Sequence, residues 1–300
     1  MLQQFNPKNK DIKVWVGDQL FHRDEAKISV FDSLAQGGDG VWEGLRVYDG
    51  KIFSLDKHLT RMQESAKALH FENIPSNDTI KQAIFKTLEA NGMRDGVHIR
   101  LTLSRGEKYT SGMDPRLNTK GPLIIVLAEW KPPVYDKKVN LITCHIRRNG
   151  PQFLDSKIHH NNLLNNILAK IQANMAGVGE AIMLDERGFV SESNATNVFM
   201  SKNGTLYTPF AHNCLPGITR ALVMEMAEEN DIPCFEKDIS MTEIYNADEV
   251  FVTGTMGELT TVEEVDGRKI TNDNGIEVKS AIEKIFRERV KNEGEKLPEM

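Results

Sequence analysis

The segment Lys131-Pro132-Pro133-Val134-Tyr135-Asp136-Lys137-Lys138 constrains this chain more than any other. Proline lacks a backbone N–H and fixes its own φ, so two in succession stop both a helix and a strand ladder. Apolar strand-like runs flank the segment, at 123–128 before it and from 139 to 146 after it. The pattern predicts a linker over 131–138, a small N-terminal α/β domain over 1–130 and a larger C-terminal domain over 139–300. A chain of 300 residues is long enough for two domains of ordinary size.

On both sides of that break, strand and helix signals alternate without an internal repeat, which predicts a mixed α+β architecture. In the first part, 12–21 reads as two short runs turning at Gly17-Asp18, followed by a glycine-rich loop, Gln36-Gly37-Gly38-Asp39-Gly40. Leu55, Leu59, Met62, Ala66 and Leu69 share one face of a predicted helix over 55–70. Ile80, Ile84 and Leu88 do the same over 79–90. The stretch 97–105 (VHIRLTLSR) alternates as a half-buried strand does. In the second part, helices are predicted over 163–175, 218–229 and 278–290, and strands over 181–184 and 249–254. Hairpins turn at Asn203-Gly204 and Asp266-Gly267.

Composition excludes several classes. The formal net charge is −6 with no basic cluster, so nucleic acid is not an expected partner. No run of 18 apolar residues exists to span a membrane, and the first residues do not read as a signal peptide. The three cysteines, Cys144, Cys214 and Cys234, are scattered and odd in number, which points to a reducing cytoplasm and to no metal site. His159 and His160 are adjacent, so in a strand they would face opposite ways and not chelate one ion. The tail from Glu293 is polar and is expected to fray.

Five short constellations could carry chemistry. Leu215-Pro216-Gly217-Ile218-Thr219-Arg220 opens a helix, whose free N–H groups suit an anion. Val252-Thr253-Gly254-Thr255-Met256-Gly257 ends a strand in a loop of phosphate-binding type. Glu192, in Val190-Ser191-Glu192-Ser193-Asn194-Ala195-Thr196-Asn197, lies among small polar residues; a carboxylate there could hold a pyridine nitrogen protonated. His58-Leu59-Thr60-Arg61 places an arginine fork at a fixed helical position. The fifth runs from Arg147-Arg148-Asn149-Gly150-Pro151 through Lys157-Ile158-His159-His160 to Asn162-Leu163-Leu164, joining a strand to a helix. Each alone also reads as an ordinary cap, turn or surface residue.

Taken in order, and with Gly38-Asp39-Gly40-Val41-Trp42-Glu43-Gly44-Leu45-Arg46, they resemble the class IV (fold type IV) aminotransferases, most of all the branched-chain amino-acid enzymes. The resemblance implies the fold type IV arrangement of two domains with pyridoxal 5'-phosphate between them, and a homodimer. It implies amino-group transfer between an amino acid and a 2-oxo acid. It assigns Arg61, Ile218, Thr219 and Thr255 to the cofactor phosphate and Glu192 to the ring nitrogen, with Asn197 holding the Glu192 loop. Gly38, Arg100 and Arg105 fall on the substrate side.

The family's Schiff-base lysine meets an irregular stretch here. Counting back from Asn162-Leu163-Leu164 without a gap puts the slot at His159 or Ile158, and one inserted residue brings it to Lys157. Imidazole forms no aldimine, which needs a primary amine, but it moves protons near neutral pH. Lys157 is therefore the first candidate for the aldimine, two residues along a strand from the His159 slot, with His159 the alternative proton carrier. The rival readings are a lyase or dehydratase on the same cofactor, with His159 as acid/base, and a cofactor-free binding protein on the same fold.

Overall fold

The computed structural model describes residues 3–135 and 138–299; Met1, Leu2 and, within the expected linker, Asp136 and Lys137 lie outside the described residues. The chain divides into two compact units. The N-terminal unit holds Gln3–Pro132, Ile158–Asn162 and the chain from Val290 onward, and the C-terminal unit holds Pro133–Lys157 and Leu163–Arg289.

The N-terminal unit contains β1 (Lys13–Val16), β2 (Gln19–His22), α1 (Ser33–Gly37), β3 (Gly40–Tyr48), β4 (Lys51–Ile52), α2 (Leu55–Ala68), α3 (Asn77–Ala90), β5 (Val97–Ser104) and β6 (Leu123–Trp130). Its strands form an antiparallel sheet in the order β4-β3-β5-β6-β1-β2. The α2 and α3 helices pack on one face, where the foreseen apolar positions Leu55, Leu59, Met62, Ala66, Ile80, Ile84 and Leu88 meet Val41, Leu45, Ile99, Leu101 and Val126. That burial is the main driving force for the unit. The strand β3 has nine residues and pairs with β5 from Gly40↔Ser104 to Val47↔Val97. Glycines at 40 and 44 hide its alternation from a sequence pattern. The polar tail does not fray: Glu295–Lys296 pairs with β4, and Leu297 is buried with its amide donating to the Gly50 carbonyl at 2.9 Å.

The C-terminal unit contains β7 (Lys138–Thr143), α4 (Leu164–Met175), β8 (Glu180–Leu184), β9 (Val190–Ser193), β10 (Asn197–Lys202), β11 (Thr205–Pro209), α5 (Ile218–Glu229), β12 (Cys234–Lys237), α6 (Met241–Tyr245), β13 (Glu249–Gly254) and β14 (Glu258–Val265), and α7 (Val278–Asn292) closes it. Its strands run in the order β12-β11-β10-β13-β14-β7-β8-β9, with Arg268–Lys269 paired to β14. β7 is parallel to both β8 and β14, whereas β10 and β13 are antiparallel, so the sheet is mixed. β7 ends three residues short of the expected 146 because Asp266 accepts from both the amide and the hydroxyl of Thr143, at 2.6 Å each. Val198, Val250, Val252 and Val262 bury against Ile239 and Ile244 on one face of this sheet. No helix of the described residues is long and apolar enough to cross a membrane.

The N-terminal unit carries a pH liability at His98. Burial, with Lys131, Arg46 and Arg100 nearby, pushes this imidazole from 6.5 down to about 3. The folded pKa lies below the unfolded one, so between those values the unfolded chain binds the extra proton and stability falls as pH falls. Between pH 7 and pH 5 one such histidine costs about 2 kcal/mol. Trp15, Trp42 and Trp130, the three tryptophans of the chain, all lie in this unit. Tryptophan-detected urea unfolding of His98→Gln should therefore lose roughly that much less on going from pH 7 to pH 5. An unchanged pH slope would refute the assignment.

Candidate functional site

In the C-terminal unit the side chains converge on Glu192. It sits on β9 with only 5% of its surface exposed. A carboxylate so far out of water needs donors. Arg148 supplies one, Nε to Oε1 at 2.5 Å, and its own Nη1 donates to Asn165 Oδ1 at 3.1 Å. The second oxygen, Oε2, is held more loosely, by Asn197 Nδ2 and the Leu215 amide, both at 3.3 Å. Burial pushes the Glu192 carboxyl above its ordinary value, while Arg148 and the Leu215 amide pull the other way.

Asn197 ties this carboxylate to the helix start. Its Nδ2 also donates to the Leu215 carbonyl at 2.9 Å, and it pairs across the sheet with Thr253 on β13. A Cβ on Gly217 would stand 2.0 Å from Asn197 Oδ1, so only glycine permits the turn to lie this close. Gly217 is the N-cap of α5, and no side chain caps it. The helix thus opens with the amides of Ile218 and Thr219 and its positive dipole end available to an anion. Thr219 is buried, and the next strand end adds the turn Gly254-Thr255-Met256-Gly257. Beside it the Thr253 hydroxyl is buried without a hydrogen-bond partner among the described residues. A loosely held carboxylate oxygen, an uncapped helix start and an unmatched buried hydroxyl fit a ring that carries a nitrogen and a phosphate. Glu192, Asn197 and the start of α5 at Gly217-Ile218-Thr219 are brought together in this unit, and Asn197 pairs with Thr253, two residues before Thr255.

Arg61 belongs to the N-terminal unit and is engaged there. Its Nε donates to Glu43 Oε1 at 2.8 Å and its Nη2 to Oε2 at 2.6 Å. Glu43 is completely buried and also meets His58 Nδ1 at 2.6 Å and His159 Nδ1 at 3.1 Å. Burial alone would raise this carboxyl, yet His159, Arg61 and His58 together hold it well below the usual carboxylate range. Burial lowers both His58 and His159, against the opposing pull of Glu43. The His159 ring packs on Trp42 with centroids 4.2 Å apart, and its amide donates to Ser65 Oγ at 3.1 Å.

The remaining candidates scatter more widely. Lys157 is exposed, and its amide donates to Asp155 Oδ1 at 3.0 Å in a turn. The segment from 155 to 159 is not a strand, so the two-residue alternation expected between Lys157 and His159 does not apply. Gly38 closes α1 in the left-handed region at φ 66°, where other residues strain. Arg105 holds that loop: it grips Asp39 at 2.6 and 3.1 Å and donates to the carbonyls of Leu69 and His70. Arg100, half-buried on β5, lies over the Trp42 ring at 3.9 Å, and no carboxylate of the described residues pairs with it.

Three residues of this machinery are given no role by the sequence. Glu43 stands within the 38–46 motif, and its strand parity with Val41 and Leu45, a charge on an apolar face, is the signal that it is buried. Arg148 follows another arginine and is singled out only by its contact with Glu192. Glu180, 1% exposed, accepts from the hydroxyls of Ser193, Thr196 and Tyr135 and so fixes the turn between β9 and β10; nothing in its neighbourhood in the sequence announces it.

Comparison with known proteins bears on the family of the chain. The family model for amino-transferase class IV matches residues 40–265. The branched-chain-amino-acid aminotransferase-like protein 2 of Arabidopsis thaliana is 59% identical over 266 residues, 88% of this chain. The chain spans about half of that relative, 48% of its length. A putative branched-chain-amino-acid aminotransferase of Methanocaldococcus jannaschii is 37% identical, covering 92% of this chain and 96% of its own. Among solved structures, the branched-chain aminotransferase of Thermoproteus uzoniensis with norvaline superposes with a TM-score of 0.86 at 30% identity, over 93% of this chain and 95% of that one.

The Arg148–Glu192 pair is testable without any ligand. Arg148→Met strands a buried carboxylate, which should destabilise the protein by roughly 3–5 kcal/mol. Arg148→Met combined with Glu192→Met should recover most of that loss in a calorimetric double-mutant cycle. Additive losses would show that the two side chains are not coupled.

Proposed function

Because the chain belongs to the class IV aminotransferase family, we propose that it is a pyridoxal 5'-phosphate enzyme transferring amino groups between amino acids and 2-oxo acids, with branched-chain substrates. The observation that carries the proposal is the convergence of Glu192, Asn197 and the uncapped start of α5 in one unit. Glu192 receives the ring nitrogen. The amides of Ile218 and Thr219, the Thr219 hydroxyl and the Thr255 turn receive the phosphate, and the family pattern adds Arg61. When bound, the cofactor supplies an aldehyde for the amino group and a conjugated ring that accepts the electron pair of the substrate's Cα–H bond. Arg100, which no carboxylate of the described residues pairs with, is a cation for a substrate carboxylate, and Arg105 with Gly38 shapes its own loop.

Lys157 is the proposed amine for the covalent link. Purified protein given the cofactor should absorb in the visible range, and borohydride should fix the cofactor to Lys157, as peptide mapping reads. Lys157→Ala should lose that adduct. No uptake of cofactor would remove the proposed activity. A specific observation favours a second reading, in which the cofactor is held without a covalent bond: the shorter of the two gap-free spacings puts His159 in the slot, locked against Glu43 and Trp42. Uptake with no reducible adduct would select it.

The assembly we propose is a homodimer in the cytoplasm. Leu164, Ile167, Leu168, Ile171 and Met175 form an exposed apolar stripe along α4, with exposures from 47% to 84%. An apolar patch of this kind marks a contact surface. The free cysteines agree with a reducing compartment. Ile167→Glu with Ile171→Glu should halve the mass by light scattering while circular dichroism is unchanged. A wild type that is monomeric, or a double variant that still dimerises, would remove α4 from the contact.

A further inference from the structure

Resting on the aminotransferase reading, we infer that Tyr135 and Glu180 are positioning residues for the cofactor: together they form one anchor that fixes the spacing between the turn next to Glu192 and the turn carrying Thr255. All of the residues involved belong to the C-terminal unit. The first turn, between β9 and β10, hangs on Glu180. Ser193 Oγ accepts from the amides of Ala195 and Thr196 at 3.2 and 3.0 Å, which occupies both of its lone pairs. Its hydrogen is therefore directed outward, to Glu180 Oε2. Thr196 Oγ1 stands 2.8 Å from a Ser193 oxygen that accepts no further bond, so its hydrogen goes to the same Glu180 oxygen, at 2.6 Å. The next residue of β8 adds backbone ties: the Ala181 amide donates to Asn194 Oδ1 at 2.8 Å, and its carbonyl accepts from the Asn194 amide at 2.9 Å.

The other oxygen of Glu180, Oε1, accepts from the Tyr135 hydroxyl at 2.6 Å. Burial and the adjacent carboxylate keep that phenol protonated, so it stays the donor. Tyr135 also reaches the second turn. A Cβ on Gly257 would stand 3.7 Å from Tyr135 Cδ2 and one on Gly179 3.4 Å from its Cε1, so the ring lies against both backbones. The preceding residue, Val134, donates its amide to the Met256 carbonyl at 3.1 Å. The two turns also touch directly: Thr196 Cγ2 lies 3.4 Å from where a Cβ on Gly254 would be.

A ligand with a ring nitrogen and a phosphate at fixed separation is bound well only where the groups meeting them keep that separation. Glu192 directly precedes the first turn, and Thr255 lies in the second. Asn197 and Thr253, which flank the two turns, are paired across the sheet, so strand register sets their level. Beyond that pair the ladder of β10 and β13 ends, and Glu180 takes over. One carboxylate, occupied at both oxygens, joins the hydroxyls of the first turn to the tyrosine packed on the second. Neither Tyr135 nor Glu180 contacts the cofactor in this reading; both act through the turns they hold.

Two measurements test the anchor. Hydrogen exchange read by mass spectrometry on the full chain without cofactor follows the amides of 193–197 and 255–258. Glu180→Gln should raise exchange at both turns by about tenfold while α5 keeps its protection. Should this variant fail to fold, Tyr135→Phe, which removes one hydroxyl and keeps the ring, should do the same. Loosening of one turn only, of neither, or of the whole unit alike overturns the inference. The second measurement titrates the protein with pyridoxal 5'-phosphate by visible absorbance. Thr196→Val keeps the side-chain shape, loses the hydroxyl and should weaken binding by roughly 10- to 100-fold. Thr196→Ser, which keeps the hydroxyl, should restore most of that affinity. Unweakened binding by Thr196→Val, or equal losses in the two variants, would overturn the anchor as well. A wild type that takes up no cofactor removes the aminotransferase reading instead, and the exchange pattern still decides whether Glu180 holds both turns.

Discussion

A carboxylate taken out of water must be surrounded by donors, and this structure is organised around meeting that demand in each unit. Glu43 is wholly buried and is matched by Arg61, His58 and His159. Desolvating an ion is a cost of several kcal/mol, offset only when geometry and hydrogen bonding are complete. Apolar burial packs α2 onto β3, and the same packing, with the segment 158–162 laid along β3, places the donors around Glu43. A β-bridge between Val41 and His160 and the Asn161 amide on the Gly40 carbonyl complete that attachment.

The C-terminal unit answers the same demand differently. Arg148 matches one oxygen of Glu192 tightly, while the other is met only by two long contacts. The turn that carries Glu192 rests on a second buried carboxylate, Glu180, matched by hydroxyls alone. Glu180 is matched at both oxygens and makes a rigid support, whereas one oxygen of Glu192 is only loosely held. Helix α5 has the same character: an end with no capping side chain leaves amides that a phosphate could meet.

The apolar positions of α2 and α3 were legible because a period of 3.6 survives in any sequence that buries one helix face. The hairpin at Asn203-Gly204 was legible because its turn needs positive φ at both positions, which are at 51° and 79°. The strand β3 was not legible, since two glycines interrupt its pattern, and only pairing with β5 defines it. The tail reads as loose from its polar composition, whereas its anchoring is a long-range pairing with β4 that no local pattern carries. The motif residues Glu192, Asn197, Ile218 and Thr219 could be named from their order, but that Asn197 joins them through one amide emerges from the fold.

By itself the sequence determined the periodicities, the turns and the ordered motif set, because each depends on residues close together along the chain. The tertiary structure alone decided which charges became buried partners. Arg61 lies 18 positions from Glu43 and His159 lies 116 from it, and Arg148 lies 44 from Glu192. Such pairings are set by strand register and helix packing, since a charge in the interior accepts whatever donor the fold places within about 3 Å of it.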